Sequence, residues 1–130
     1  MVDRPTRCIV GWAVVWRRTQ EALQQVVDQA PKARWYYSDA FEAYQGLWYH
    51  GGRYEVSEGK AETYSVEADN AELRHYLARL GRKSRCFSRC PGALECALRL
   101  FVYCFNSRQL HKQRFPNDAA HVMDFVSPRL

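Results

Sequence analysis

The sequence predicts an α/β fold, and three observations carry that expectation. Strand-length runs rich in β-branched and aromatic residues, within Thr6 to Trp16 and again from Arg34 to Ser38, alternate with segments whose apolar residues recur at helical spacing, such as Leu23, Val26, Val27 and Ala30. Pro31 and the Gly51-Gly52 pair punctuate the boundaries between them. The 130 residues are 47% hydrophobic and 25% charged, an ordinary globular composition. A chain of that length buries about two thirds of its unfolded surface, enough for one core.

The first strand is expected over Thr6 to Trp16, where Cys8, Ile9, Val10, Trp12, Val14 and Val15 follow the turn-like Asp3-Arg4-Pro5-Thr6. Thr19 is placed to cap a helix running to about Ala30, and Pro31-Lys32 ends it. Arg34 to Ser38 reads as a second strand with Asp39 at its carboxyl end, the side of an open α/β sheet where ligands gather. Phe41, Tyr44, Leu47 and Trp48 suggest a short helix, with Tyr44 and Trp48 on one packed face. Gly51-Gly52 is a loop, and Tyr54 to Val56 a short strand.

Ser65 or Thr63 caps the next helix, with Val66, Leu73, Tyr76, Leu77 and Leu80 as its apolar positions and Gly81 as its terminator. Pro91 begins a further helix whose buried stripe is Leu94, Leu98, Phe101, Val102 and Phe105. Residues 1–110 are expected to form one domain, and residues 111–130 a tail packed on it. The chain starts almost inside its first strand, with nothing upstream to pair with it, so a missing amino-terminal portion is expected.

The net charge of +5 and a pI near 9.1 favour a polyanionic partner. No stretch approaches the ~18–20 apolar residues of a membrane span, and the start lacks a signal-peptide pattern. A cytoplasmic location without membrane association is expected. The five cysteines, Cys8, Cys86, Cys90, Cys96 and Cys104, are an odd number; Cys86 and Cys90, four apart, suggest half of a zinc site, but no second pair of suitable spacing follows, which points to free, mostly buried thiols.

Two carboxylates stand out for chemistry. Asp39 closes a strand and Glu67 opens a helix, and a divalent-metal phosphoryl-transfer site draws its oxygen ligands from such residues. The plainer reading makes Asp39 a turn residue and N-cap, and Glu67 a first-turn charge favoured by the helix dipole. Glu67, Asn70 and Arg74 fall on one side of the helix. The stretch that follows holds Arg74, His75, Arg79, Arg82, Lys83, Arg85 and Arg89, with no acid between Glu72 and Glu95. Clustered Arg and Lys gain affinity for nucleic acid by releasing counterions, and Arg pairs bidentately with phosphate. The aromatics Trp35, Tyr36, Tyr37, Phe41, Tyr44, Trp48 and Tyr49 can stack on bases, though core packing is the first expectation for most of them. His50 and His75 read as surface or partly satisfied histidines.

These residues also resemble a known family. Trp35-Tyr36-Tyr37-Ser38-Asp39-Ala40-Phe41-Glu42-Ala43-Tyr44 resembles the second-aspartate block of the short bacterial transposases of the insertion-sequence-one (InsB-like) family. Lys60 to Glu67, with Asn70 and Leu73 to Leu80, resembles its glutamate block. Arg82-Lys83-Ser84-Arg85-Cys86-Phe87-Ser88-Arg89 is similar to the basic signature behind it, and Phe105 to His111 to the family's carboxyl-terminal region.

The resemblance implies an RNase H-like fold with a DDE acidic triad, using Mg²⁺ (or Mn²⁺) to cleave DNA at the element's ends and join it to target DNA. Asp39 would be the second aspartate and Glu67 the glutamate. Asn70 and Arg74 would support the metal or hold DNA, together with Arg79, Arg82, Lys83, Arg85 and Arg89. Implied partners are DNA and either further copies of the chain or a full-length transposase, at the nucleoid. The family's first aspartate has no counterpart here, because Asp3 matches a hairpin-turn aspartate instead. The expected fold is thus RNase H-like but incomplete at its amino-terminal strand or strands, as in a truncated copy. The alternative is a non-catalytic DNA-binding fragment that interferes with or assists a full-length transposase.

Overall fold

A computed structural model describes residues 1–39, 41–57, 68, 70, 71, 73–75 and 91–126. The chain divides into two compact units, one of Met1 with Val10–Asp69 and the other of Val2–Ile9 with Asn70–Leu130.

In the first unit, helix α1 spans Gln20–Gln29. Thr19 caps it as expected, its hydroxyl accepting the Ala22 N–H at 3.2 Å. Ala30 closes it with an N–H bond to the Val26 carbonyl and then turns extended at ψ 156, as a residue before proline must. Val27 and Ala30 are buried. A Cβ on Gly11 would lie 3.2 Å from both the Ala30 Cβ and a Val26 methyl, so the extended segment before α1 runs close against that face.

Strand β1 is Trp35–Ser38 and strand β2 is Arg53–Val56. They pair in parallel, from Trp35 opposite Arg53 to Ser38 opposite Val56. Bonds from Arg53 N–H to Arg34 O and from Ser57 N–H to Ser38 O, each 2.8 Å, extend the ladder at both ends. A parallel pair needs a crossover of a dozen or more residues. Here it carries the short helix α2, Glu42–Gln45, which lies against α1. The crossover returns through two left-handed residues, His50 at φ 53 and Gly51 at φ 84. Next comes Gly52, where a side chain would meet the Tyr36 ring at 2.5 Å and the Ala33 carbonyl oxygen at 2.6 Å.

Strand periodicity sorts the sheet's side chains onto two faces. Tyr36 and Tyr54 share one face with Tyr49, whose ring stacks on Tyr54 at 4.6 Å and tilts against Tyr36 at 4.9 Å. Burial of the Tyr49 hydroxyl, reinforced by Tyr54 and Tyr44, pushes its pKa well above the ordinary phenol value. Trp35, Tyr37, Arg53 and Glu55 take the other face.

The second unit is organised by helix α3, Pro91–Arg114. Phe101, Cys104 and Phe105 form its core with Val122, which comes from a 3₁₀ turn, Val122–Phe125. Ile9, Leu73, Val102 and Phe125 pack around them. His121 and Asp124 cap the 3₁₀ turn reciprocally, and the His111 ring meets Phe125 edge-on at 5.6 Å.

The structure corrects the sequence expectations in four places. The strand over Thr6 to Trp16 does not form, and only an isolated antiparallel bridge joins Val2 to Ile9. Arg7 is left-handed at φ 60. Asp3 tightens the turn by accepting from the Thr6 N–H and hydroxyl. Ile9 finds its partner in a side chain: Asn106 Oδ1 accepts the Ile9 N–H at 2.7 Å, and Asn106 Nδ2 donates to the Ile9 carbonyl at 2.9 Å.

Trp48, expected in the core beside Tyr44, lies beyond the end of α2 and is 64% exposed. Cys96 is exposed, whereas Cys8 and Cys104 are the free, buried thiols expected. The buried stripe of α3 keeps Leu98, Phe101 and Phe105, with Val102 packed beside them, but Leu94 is only half-buried and the stripe widens to take in Cys104 and Arg108. The expected cap and terminator of the Glu67 helix fall outside the described residues, as do Cys86 and Cys90. Among the described residues, no helix is long and apolar enough to cross a membrane.

Candidate functional site

Asp39 follows directly on the carboxyl end of β1, at the start of the crossover to β2, and it is exposed. Its Oδ1 accepts the Phe41 N–H at 3.2 Å, and its carbonyl accepts the Ser38 hydroxyl at 2.8 Å. An aspartate bonding the backbone two residues on is an Asx-type turn, so the carboxylate helps to launch α2 while facing solvent. Ser38 is itself held by the Tyr54 hydroxyl at 2.5 Å. The end of β1 is thereby tied to the middle of β2, and Asp39 stands on a braced strand rather than on a free loop.

A hard divalent cation takes one or two protein carboxylates and fills its shell with water and phosphate oxygens. An exposed aspartate with one oxygen fixed by an amide fits as one such ligand. Glu67, its expected companion, lies outside the described residues. Among the described residues, no cluster of three His, Cys, Asp or Glu side chains is arranged to hold a metal.

Ala68, Asn70, Ala71, Leu73, Arg74 and His75 are helical. Leu73 packs toward the α3 core, while Asn70 and Arg74, four residues apart, are exposed. The spacing puts the amide and the guanidinium on one side of the helical segment. His75 is also exposed. Arg79, Arg82, Lys83, Arg85 and Arg89 lie outside the described residues. The structure thus brings Asn70 and Arg74 together within the second unit and sets Asp39 in the first.

A second constellation surrounds His50. Its Nε2 lies 2.7 Å from Asp28 Oδ1, and the same carboxylate oxygen accepts from Gln24 Nε2 at 2.9 Å. The Gln24 amide, and after it His50, holds the Asp28 carboxyl below its ordinary range. Gln24 also bonds both backbone groups of Trp48, accepting its N–H at 2.8 Å and donating to its carbonyl at 2.9 Å. The Trp48 ring rests on His50 with centroids 4.1 Å apart. This network holds His50 in its left-handed conformation and secures the crossover on α1. No single-residue signal marked it, because the bonds joining Gln24 and Asp28 to Trp48 and His50 span 24 and 22 positions.

No family model, no curated protein and no solved structure matches the chain.

Proposed function

We propose that the chain is part of a DNA transposase of RNase H-like fold, in which Asp39 and Glu67 hold Mg²⁺ (or Mn²⁺) and the basic residues from Arg74 to Arg89 hold DNA at the nucleoid. The observation that carries this reading is the position of Asp39, an exposed carboxylate at the carboxyl end of a strand in a parallel β–α–β unit. Ligands of open α/β sheets collect at that edge. The ion, when bound, supplies an activated oxygen nucleophile and neutralises charge on the phosphate. The Phe41 amide restrains the carboxylate's rotation through Oδ1. Asn70 and Arg74 meet phosphate oxygens from one helix side, and Arg contributes the bidentate contact.

The test is strand cleavage of plasmid and element-end DNA in Mg²⁺ by the parent chain, Asp39→Ala and Glu67→Ala. With the family's first aspartate lacking a counterpart here, the expected outcome is weak cleavage that disappears on chelation and in both variants. Cleavage indifferent to both substitutions would remove these residues from the site.

One observation favours a second reading, a non-catalytic DNA-binding fragment: the bond from Phe41 N–H gives Asp39 a structural task of its own. That reading expects DNA binding that survives both substitutions and weakens steeply with salt, in proportion to the phosphates neutralised.

A further inference from the structure

The outward face of the β1–β2 sheet is an aromatic surface with a cation set on it. Trp35 is 43% exposed. Its ring lies nearly parallel to that of Tyr37, at 10° with centroids 6.4 Å apart. Arg53, opposite Trp35 in the register, holds its guanidinium carbon 5.3 Å from the centre of the Trp35 ring. Arg34 and Arg53, together with Trp35 and the left-handed turn at His50-Gly51, border the adjoining groove.

A large flat ring exposed on a sheet, as Trp35 is, loses the burial that usually stabilises it, and Tyr37 beside it is only half-buried. Arginines at their rim disfavour an apolar protein partner, which would have to desolvate the guanidinium groups.

We propose that this face binds unpaired nucleotides, stacking bases on Trp35 and Tyr37 while Arg34 and Arg53 take the phosphates. Paired bases have their faces covered by neighbours in the duplex, so an aromatic platform selects single strands. Every base has a π face, so the selection tolerates any sequence. The ring separation is close to two base steps of ~3.4 Å, so one strand can present bases to both rings. The Arg53–Trp35 pair adds a cation–π contact that keeps the guanidinium over the platform. Glu55, opposite Tyr37, sets a direction: its carboxylate repels phosphate from the far end and leaves the backbone on the Arg34–Arg53 side.

This face is distinct from the Asp39 carboxylate and does not require catalysis there. Tyr36, Tyr49 and Tyr54 face the other way and pack on one another, so they serve as internal controls.

The test uses the full chain and fluorescein-labelled oligomers of equal length: oligothymidylate, oligouridylate, an abasic strand with the same phosphates, and a blunt duplex. Fluorescence anisotropy at fixed salt is recorded for the parent, Trp35→Ala, Trp35→Phe and Arg53→Gln, each checked for an unchanged circular dichroism spectrum and melting temperature. The parent is expected to bind both base-bearing single strands more tightly than the abasic one. Trp35→Ala weakens that binding by about 5- to 150-fold, the range that loss of one stacked base gives, and leaves abasic and duplex binding unchanged. Trp35→Phe restores part of the loss, and Arg53→Gln flattens the salt dependence.

Equal affinity for abasic and base-bearing strands would overturn the proposal. So would a Trp35→Ala chain that binds like the parent, the absence of any single-strand binding, or self-association through this face that excludes the oligomers. Cleavage lost in Asp39→Ala alongside intact, Trp35-dependent binding separates this surface from the catalytic reading, and each can fail without the other.

Discussion

Asn106 and Gln24 each present both ends of a carboxamide to one backbone position far along the chain, Asn106 to Ile9 and Gln24 to Trp48. A primary amide offers the same donor and acceptor pair as a strand neighbour, so each satisfies both backbone groups of a residue that lies outside any named strand. Asn106→Ala strands two part-buried backbone groups, each worth about 1–3 kcal/mol when left unsatisfied. Chemical denaturation should show a combined loss of about 2–6 kcal/mol, and Asn106→Asp should recover only the part due to the Ile9 N–H, because a carboxylate accepts there but cannot donate to the Ile9 carbonyl.

Gly52→Ala acts by sterics instead. The new methyl would lie 2.6 Å from the Ala33 carbonyl oxygen, which is main chain and cannot swing aside. A melting or denaturant experiment should report about 1–3 kcal/mol of destabilisation. Asp28 provides a pH signature. Gln24, then His50, lowers its folded pKa, so its contribution is present above the ordinary value of 3.8 and is lost as pH falls through the depressed folded value. Stability of the parent and of Asp28→Asn, followed with decreasing pH, should converge at the acid end. The carboxyl faces solvent, so the gap should also shrink with salt.

Among the described elements, α3 carries the fully buried core side chains. Phe105 has no exposure and Cys104 almost none, and both pack with Val122 of the 3₁₀ turn. Phe105→Ala should remove about 3–5 kcal/mol and release the 122–125 turn together with the helix, visible as loss of amide protection in both segments.

Elements whose signals are local were readable from the chain. The cap at Thr19, the stop before Pro31 and the run Trp35-Tyr36-Tyr37-Ser38 give α1 and β1 almost to the residue. The β-branched run after Thr6 misleads, since a strand exists only with a neighbour and this one meets a side-chain amide and a left-handed Arg7 instead. The exposure of Trp35 and Trp48 was equally hidden, because hydrophobicity predicts burial only where another element arrives to cover the ring. Of the candidate site, the strand-end position of Asp39 and the shared side of Asn70 and Arg74 were legible from periodicity. The bond from Phe41 and the bracing of Ser38 by Tyr54 are tertiary facts that no spacing encodes.

For the molecule as a whole, the division into units does not follow chain order. Residues 2–9 belong with 70–130, and Ile9 packs on the α3 core. Excising residues 2–9 should therefore loosen α3 more than α1, despite their lying closer to α1 in sequence. Hydrogen exchange should show protection falling at Phe101 to Phe105 while Val26 and Val27 stay protected.

The Asn106–Ile9 clasp also has a consequence for biosynthesis. Its two halves are separated by 97 positions, and a ribosome adds roughly 5–20 residues per second. The leading end must therefore wait on the order of 5–20 s for its mate to be made. During that interval Cys8 and Ile9 remain uncovered, so a nascent chain stalled before Asn106 is the form most open to proteases and chaperones.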